Sequence, residues 1–311
     1  MLKVSRLTTF RFIAFLILAL WCTGLFAQNQ TTQEMVVLHV RVTDALSKAV
    51  VDVPESSFRI TEDGIPQTIA LFSKEEVPVS YGLLIDNSGS LRSQISAVVK
   101  AGIRIVKTNT PNDEAFIVRF ISSDKIETVQ ETTSDRQLLI NGLNTLFVEA
   151  GQTAVVDAVY LGADKLAKQA SADKTIRRRA LILVTDGEDR NSFYKPDQLL
   201  KLLASTDIQI YTVGFVDELK GKSRDRAKAL LSRLALDTGG RAFFPISEAE
   251  LDHITDAIIN DIRTQYVIGY VPSKTQANQE FHKIQVLIEN DPKQEKRIAV
   301  TRVGYSNKQE R

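Results

Sequence analysis

Between residues 80 and 264, short apolar runs alternate with segments of helical period, and this limits the middle of the chain to a mostly parallel sheet with helices on both faces. The runs include Tyr81 to Ile85, Ala115 to Ile121, Leu181 to Val184 and Ile208 to Phe215. Helices are expected over residues 91–107, 135–144, 154–169, 195–205, 225–237 and 248–264, the fifth stopped by Gly239-Gly240. The predicted class is α/β, a doubly wound sheet.

The two ends follow a different rule. Val36, Leu38, Val40 and Val42 alternate with Val37, His39 and Arg41, and Phe58 and Ile60 lead into a turn at Asp63-Gly64. Period two returns after Thr264, where Ile284, Val286 and Ile288 share one face. Neither end has enough strands to be stable alone, so residues 28–77 and 265–311 are expected to pair into one small β domain around an α/β domain of residues 78–264. The alternative is two separate hairpins lying on the α/β domain. A polar link runs from Ser273 to Glu280. By strand alternation, His39 and His282 face outward, and Arg177-Arg178-Arg179 reads as a solvated edge before a strand.

Lys3, Arg6 and Arg11 precede an apolar run from Phe12 to Cys22, and Ala27 offers a small residue for cleavage, so residues 1–27 are expected to be a signal peptide of a secreted or periplasmic protein. The alternative is a retained membrane anchor, since the apolar stretch is only slightly shorter than a bilayer span. Bulky Trp21 argues against lipid modification of Cys22. Cys22 is the only cysteine among 311 residues, so cleavage leaves no disulfide, thiolate nucleophile or cysteine-based zinc site. The same cut removes three basic and no acidic residues from 39 and 38, leaving a net charge of −2. With no basic tract interleaved with aromatics, nucleic acid is not an expected partner.

Asp86-Asn87-Ser88-Gly89-Ser90 follows the run Tyr81 to Ile85, Gly151-Gln152-Thr153 precedes a helix, and Thr185-Asp186-Gly187-Glu188-Asp189 follows Leu181 to Val184. Ligands of open parallel sheets bind at the carboxyl ends of the strands, where these oxygen-rich loops can converge. Oxygen ligands suit hard cations such as Mg²⁺ or Ca²⁺, with Mn²⁺ also admissible. Neutral hydroxyls leave most of the ion's charge uncompensated, so an open position attracts a carboxylate from another protein. Each residue also has a plainer explanation: Ser90 or Thr153 as a helix cap, Asp186-Gly187 as a tight turn, Glu188 and Asp189 as solvated loop charges.

Together these residues resemble the metal-ion-dependent adhesion site of von Willebrand factor type A domains, with Asp86, Ser88 and Ser90 as the Asp-x-Ser-x-Ser element, Thr153 as the threonine and Asp186 as the second aspartate. The resemblance implies one divalent cation, Mg²⁺ first, touched by Ser88, Ser90 and Thr153, with Asp86 and Asp186 acting through water or orienting the hydroxyls. It extends to Thr238-Gly239-Gly240-Arg241. Phe58 to Gln67 and Gln265 to Tyr270 further resemble the VWFA-related domain proteins first catalogued from acidobacteria, a family without a general assigned activity.

An enzyme is not expected. A serine nucleophile needs a base, and His39, His253 and His282 stand in no recognisable motif. No Gly-x-Ser-x-Gly or phosphate-loop string occurs. The expected function is a metal-dependent protein-binding module, with a membrane contact only if the N-terminal segment is retained. The competing expectation is a structural envelope component whose β segments make the contacts.

Overall fold

The computed structural model describes residues 35–172, 175–273, 280–289 and 296–306. The expected signal segment and its cleavage after Ala27 lie outside them, as do residues 274–279 of the polar link. The chain begins with β1 (Val36–Thr43), β2 (Phe58–Glu62), β3 (Ile65–Gln67) and β4 (Ile69–Ser73). The hairpin between β2 and β3 turns through Asp63 and Gly64, both at positive φ (52° and 83°). Glycine reaches that region without cost and aspartate tolerates it, which is why this dipeptide reads as a turn.

Next come β5 (Val79–Asp86), α1 (Ile95–Lys107), β6 (Glu114–Ser122), β7 (Lys125–Thr133), α2 (Arg136–Asn144), α3 (Val155–Ala172), β8 (Arg178–Thr185), α4 (Pro196–Ala204), β9 (Ile208–Gly214), α5 (Gly221–Thr238), β10 (Arg241–Phe243) and α6 (Glu248–Arg263). Their sheet has the order β10-β9-β8-β5-β6-β7, parallel except for the β6–β7 pair. β5 and β8 are buried along their whole length, as strands covered on both faces must be. Leu84, Leu181 and Leu183 pack with α3, α4 and α5, while Leu83, Ile85 and Ile182 pack with α1, α2 and α6. The expected doubly wound α/β architecture is therefore present.

β7 has no counterpart in the sequence reading. It is a polar edge strand whose Ile126 packs into one core and Val129 into the other, so no same-face apolar pair marks its period. Its pairing with β6 is also broken by register shifts.

The chain closes with β11 (Tyr266–Tyr270), β12 (Phe281–Ile288), β13 (Ile298–Val300) and β14 (Gly304–Ser306). These join the first strands in two antiparallel sheets, β13-β1-β11-β4 and β14-β12-β2-β3. Leu38, Val40, Phe58, Ile60, Tyr266, Ile268, Ile284 and Val286 fill the space between them. Strands from both chain ends thus pair with each other.

Two expectations about exposure fail. His39 and His282 are 5% and 4% exposed, not outward-facing, and Arg178 and Arg179 are buried. The second face of β1 is covered by the α/β layers rather than by water: Arg41 donates to Asp261 of α6 at 2.5 Å. Arg178 places its guanidinium against the end of α6, donating to the carbonyls of Ile262 and Arg263 at 3.0 Å and of Gln265 at 2.6 Å. A helix leaves its last carbonyls unsatisfied, and a buried cation there answers both the hydrogen-bonding deficit and the helix dipole.

Burial pushes the pKa of His39 down to about 4, with Asp207 opposing and the cations of Arg178 and Arg302 assisting. The unfolded chain therefore binds this proton more readily, and the stability present above pH 6.5 is lost as pH falls toward 4. Between neutral pH and about pH 4.5 the wild type should lose about 2 kcal/mol more than His39→Gln, measured by urea denaturation at each pH.

Candidate metal centre

β5 lies between β8 and β6 in the sheet and runs out at Asp86, so the side chain that ends it emerges at the carboxyl edge of the sheet. Asp86 is fully buried. Its Oδ1 accepts from the Ser88 amide at 2.9 Å and its Oδ2 from the Thr185 hydroxyl at 2.7 Å. The first bond closes a local turn; the second ties the end of β5 to the end of β8. Thr185 Oγ1 in turn accepts from the amide of Gly187, whose φ of 78° lets the loop double back.

The loop before α3 is held to both others. The Glu149 amide donates to the Asn87 carbonyl at 2.9 Å, Asn87 Nδ2 donates to the Phe147 carbonyl at 2.6 Å, and the Arg190 amide donates to the Thr153 carbonyl at 2.9 Å. A side chain at Gly151 would put its Cβ 2.2 Å from Ile121 Cγ2, so only glycine lets this loop lie against the end of β6. All three loops are thereby bonded to one another at one edge of the sheet.

Within this cluster Ser88 and Ser90 hydroxyls are 2.9 Å apart, and Asp186 Oδ1 accepts from the Glu188 amide at 3.0 Å. Ser88, Thr153 and Asp186 are buried; Ser90 is exposed and marks the side open to solvent. The cap reading of Ser90 fails: Ser90 lies inside the short 3₁₀ turn Gly89–Leu91, and the N-cap residue of α1 is Gln94. The tight-turn reading of Asp186-Gly187 holds: Gly187 stands at positive φ and the Asp186 carboxylate accepts from the Glu188 amide of its own loop.

Burial pushes the pKa of Asp86 up to about 6; bonds from Ser88 and Thr185 pull against this, and the negative charge of Asp186 adds to it. Among the described residues neither Asp86 nor Asp186 is ion-paired with a lysine or arginine. The two carboxylates, with the Ser88, Ser90, Thr153 and Thr185 hydroxyls on the same three loops, form an all-oxygen donor set. That set fits a hard divalent cation.

Several supporting residues escaped the sequence reading. Thr185 was visible in its loop, but its role depends on β8 lying beside β5. Asp189 does more than face water, since its Oδ1 accepts from the Val156 amide in the first turn of α3 at 3.2 Å and from Ser192 Oγ at 2.6 Å. Asp157, buried in the same turn, accepts from the amides of Phe193 and Tyr194 at 2.8 Å each. A carboxylate in the first helical turn is the one local signal that could have drawn attention to it.

The sequence matches the von Willebrand factor type A domain over residues 82–257, more than half of the chain. The chain belongs to the von Willebrand factor type A domain family. Such domains generally mediate interactions between proteins. No curated protein matches the chain. Among solved structures, a von Willebrand factor type A protein from Catenulispora acidiphila is similar at 12% identity, over 87% of this chain and 73% of that one, with a TM-score of 0.47. An aerotolerance-related membrane protein from Bacteroides fragilis is 20% identical over 58% of this chain and 98% of that one, with a TM-score of 0.44. Proximal thread matrix protein 1 from the mussel byssus, with a zinc-occupied MIDAS motif, is 16% identical over 66% of this chain and 50% of that one, with a TM-score of 0.47.

Among the described residues the Thr185 hydroxyl is the one side-chain donor that links the Asp86 carboxylate to β8. Thr185→Val, which keeps the shape and removes the donor, should cost about 1–3 kcal/mol of stability in metal-free protein, read by urea denaturation.

Proposed function

We propose that this chain is an exported protein-binding module that takes an acidic side chain of its partner at a divalent cation. The observation that carries the reading is the pair of buried carboxylates at the carboxyl edge of the sheet, Asp86 held by the Thr185 hydroxyl and Asp186 on the neighbouring loop, neither of them ion-paired among the described residues. Ser88, Ser90 and Thr153 would hold the ion, with Asp86 and Asp186 orienting the hydroxyls and bound water. When bound, the ion supplies a Lewis-acidic position that a carboxylate can occupy.

The chain's own residues do the rest. Thr185 and the Ser88 amide fix the Asp86 carboxylate, so the site is shaped before any ion arrives. Neutral hydroxyls leave the ion's charge to be met from outside, which favours an anionic partner over a neutral one. Exposed Ser90 opens the site to a large ligand. Residues 78–264 would form the binding unit, with 28–77 and 265–311 framing it. Export rests on Lys3, Arg6 and Arg11 ahead of their apolar run. No helix among the described residues is long and apolar enough to cross a membrane.

Mg²⁺ at a hundredfold excess over its dissociation constant should raise the stability of the wild type by about 2.7 kcal/mol relative to chelator. Ser88→Ala should lose that response while remaining folded; an unchanged response sinks the assignment. Displayed peptides selected on the protein in Mg²⁺ and eluted with chelator should be enriched in Asp or Glu. An enrichment that survives Asp186→Ala would place recognition elsewhere.

A further inference from the structure

The turn between β2 and β3 and the start of β12 bring together three side chains that the site above does not use. Glu62 ends β2, Asp63 begins the turn, and His282 comes from β12, the strand paired with β2. His282 Nδ1 is 2.8 Å from Asp63 Oδ2 and 3.7 Å from Glu62 Oε1, and one ligand atom from each of the three residues lies within 4.8 Å of the others. Glu62 and His282 are each about 95% buried, and the Asp63 side chain is 12% exposed.

We propose that Glu62, Asp63 and His282 form a second metal site, selective for Zn²⁺. A tetrahedral zinc ion sits about 2.1 Å from nitrogen and oxygen ligands, which places those ligands about 3.4 Å apart. The separations of 2.8 and 3.7 Å bracket that distance, so the cluster needs only small side-chain movements to close on an ion. Both carboxylates converge on the same ring nitrogen. An imidazole nitrogen with two carboxylates suits Zn²⁺ better than Mg²⁺ or Ca²⁺, which favour oxygen alone.

The surroundings orient the ligands. Tyr270 and Tyr305 hydroxyls donate to Glu62 Oε2 at 2.6 and 3.2 Å, which turns Oε1 toward His282. The Lys283 amide donates to Asp63 Oδ1 at 2.8 Å, which leaves Oδ2 for the centre, and the Tyr305 ring stacks on His282 at 5.1 Å between centroids. Such outer contacts are what fix ligand geometry in metal sites. Occupancy requires the imidazole proton to reside on Nε2, with the ion replacing the Nδ1 to Asp63 hydrogen bond. The three protein ligands leave a fourth position for water.

The ion would pin residues 219 positions apart in the chain, joining the β2–β3 hairpin to β12, its neighbour in the same sheet. Binding energy spent there is folding energy for the pairing of the two chain ends. The site is independent of the one at Asp86, both in its residues and in its preferred ion.

The full chain, stripped of metal and held in excess Mg²⁺, is titrated with Zn²⁺ while the histidine ring nitrogens are followed by NMR. The expected result is one additional Zn²⁺ per chain, with the His282 Nδ1 resonance shifting and those of His39 and His253 unmoved. Tyr305→Phe, which keeps the fold, should weaken Zn²⁺ binding about tenfold. Asp63→Asn and His282→Gln should abolish it, and Asp186→Asn should leave it intact while removing the Mg²⁺ response. A His282 resonance that stays in place as Zn²⁺ is added, or equal Zn²⁺ binding by wild type and His282→Gln, overturns the proposal and leaves the reading of the Asp86 site untouched.

Discussion

A carboxylate buried at the end of the central strand is the constraint around which the candidate binding edge is organised. Asp86 has no exposed surface and, among the described residues, no cationic partner, so its oxygens are met by dipoles. The Ser88 amide and the Thr185 hydroxyl meet them, and in doing so they set the path of one loop and its distance from another. The Asn87 and Thr153 carbonyls extend the same bonding to the loop before α3. An arrangement assembled by hydrogen bonds to a buried charge is rigid where it must be shaped, and it leaves the face at Ser90 open.

The strands from the chain ends meet the α/β layers at α6. That helix is fastened near its carboxyl end by Arg178, which reads its last carbonyls from β8, and by Arg41, which reaches Asp261 from β1. Arg263 adds a bond to Asp113 at 2.7 Å, and this partner holds the pKa of Asp113 below the usual carboxylate range against the effect of its burial. In buried pairs of this kind removal of one partner leaves an uncompensated charge, so they fix geometry more than they add net stability. The helix is therefore held at the end remote from its Ser247 cap, whose hydroxyl accepts from the Glu250 amide.

Two acidic clusters stand in different chemical settings. At the sheet edge Asp86 and Asp186 share their loops with serine and threonine hydroxyls, an all-oxygen set; in the antiparallel sheet an imidazole stands against Glu62 and Asp63. The difference comes from backbone position: the first set sits on loops after parallel strands, the second on a hairpin and its neighbour.

Local patterns were enough to reveal the alternating α/β middle, the strand-forming ends, the three loops and the family, because hydrophobic period and loop composition are written over a few neighbouring residues. Asp86, Ser88, Ser90, Thr153 and Asp186 stood out as candidates for the same reason. β7 was not, since its two apolar residues face different cores and give no period. Thr185 as the partner of Asp86, the burial of His39 and His282, and Arg178 as a cap for α6 were decided only by the tertiary structure. Each depends on residues distant in the chain, and alternation along a strand tells which side chains share a face without telling whether water or another layer covers it.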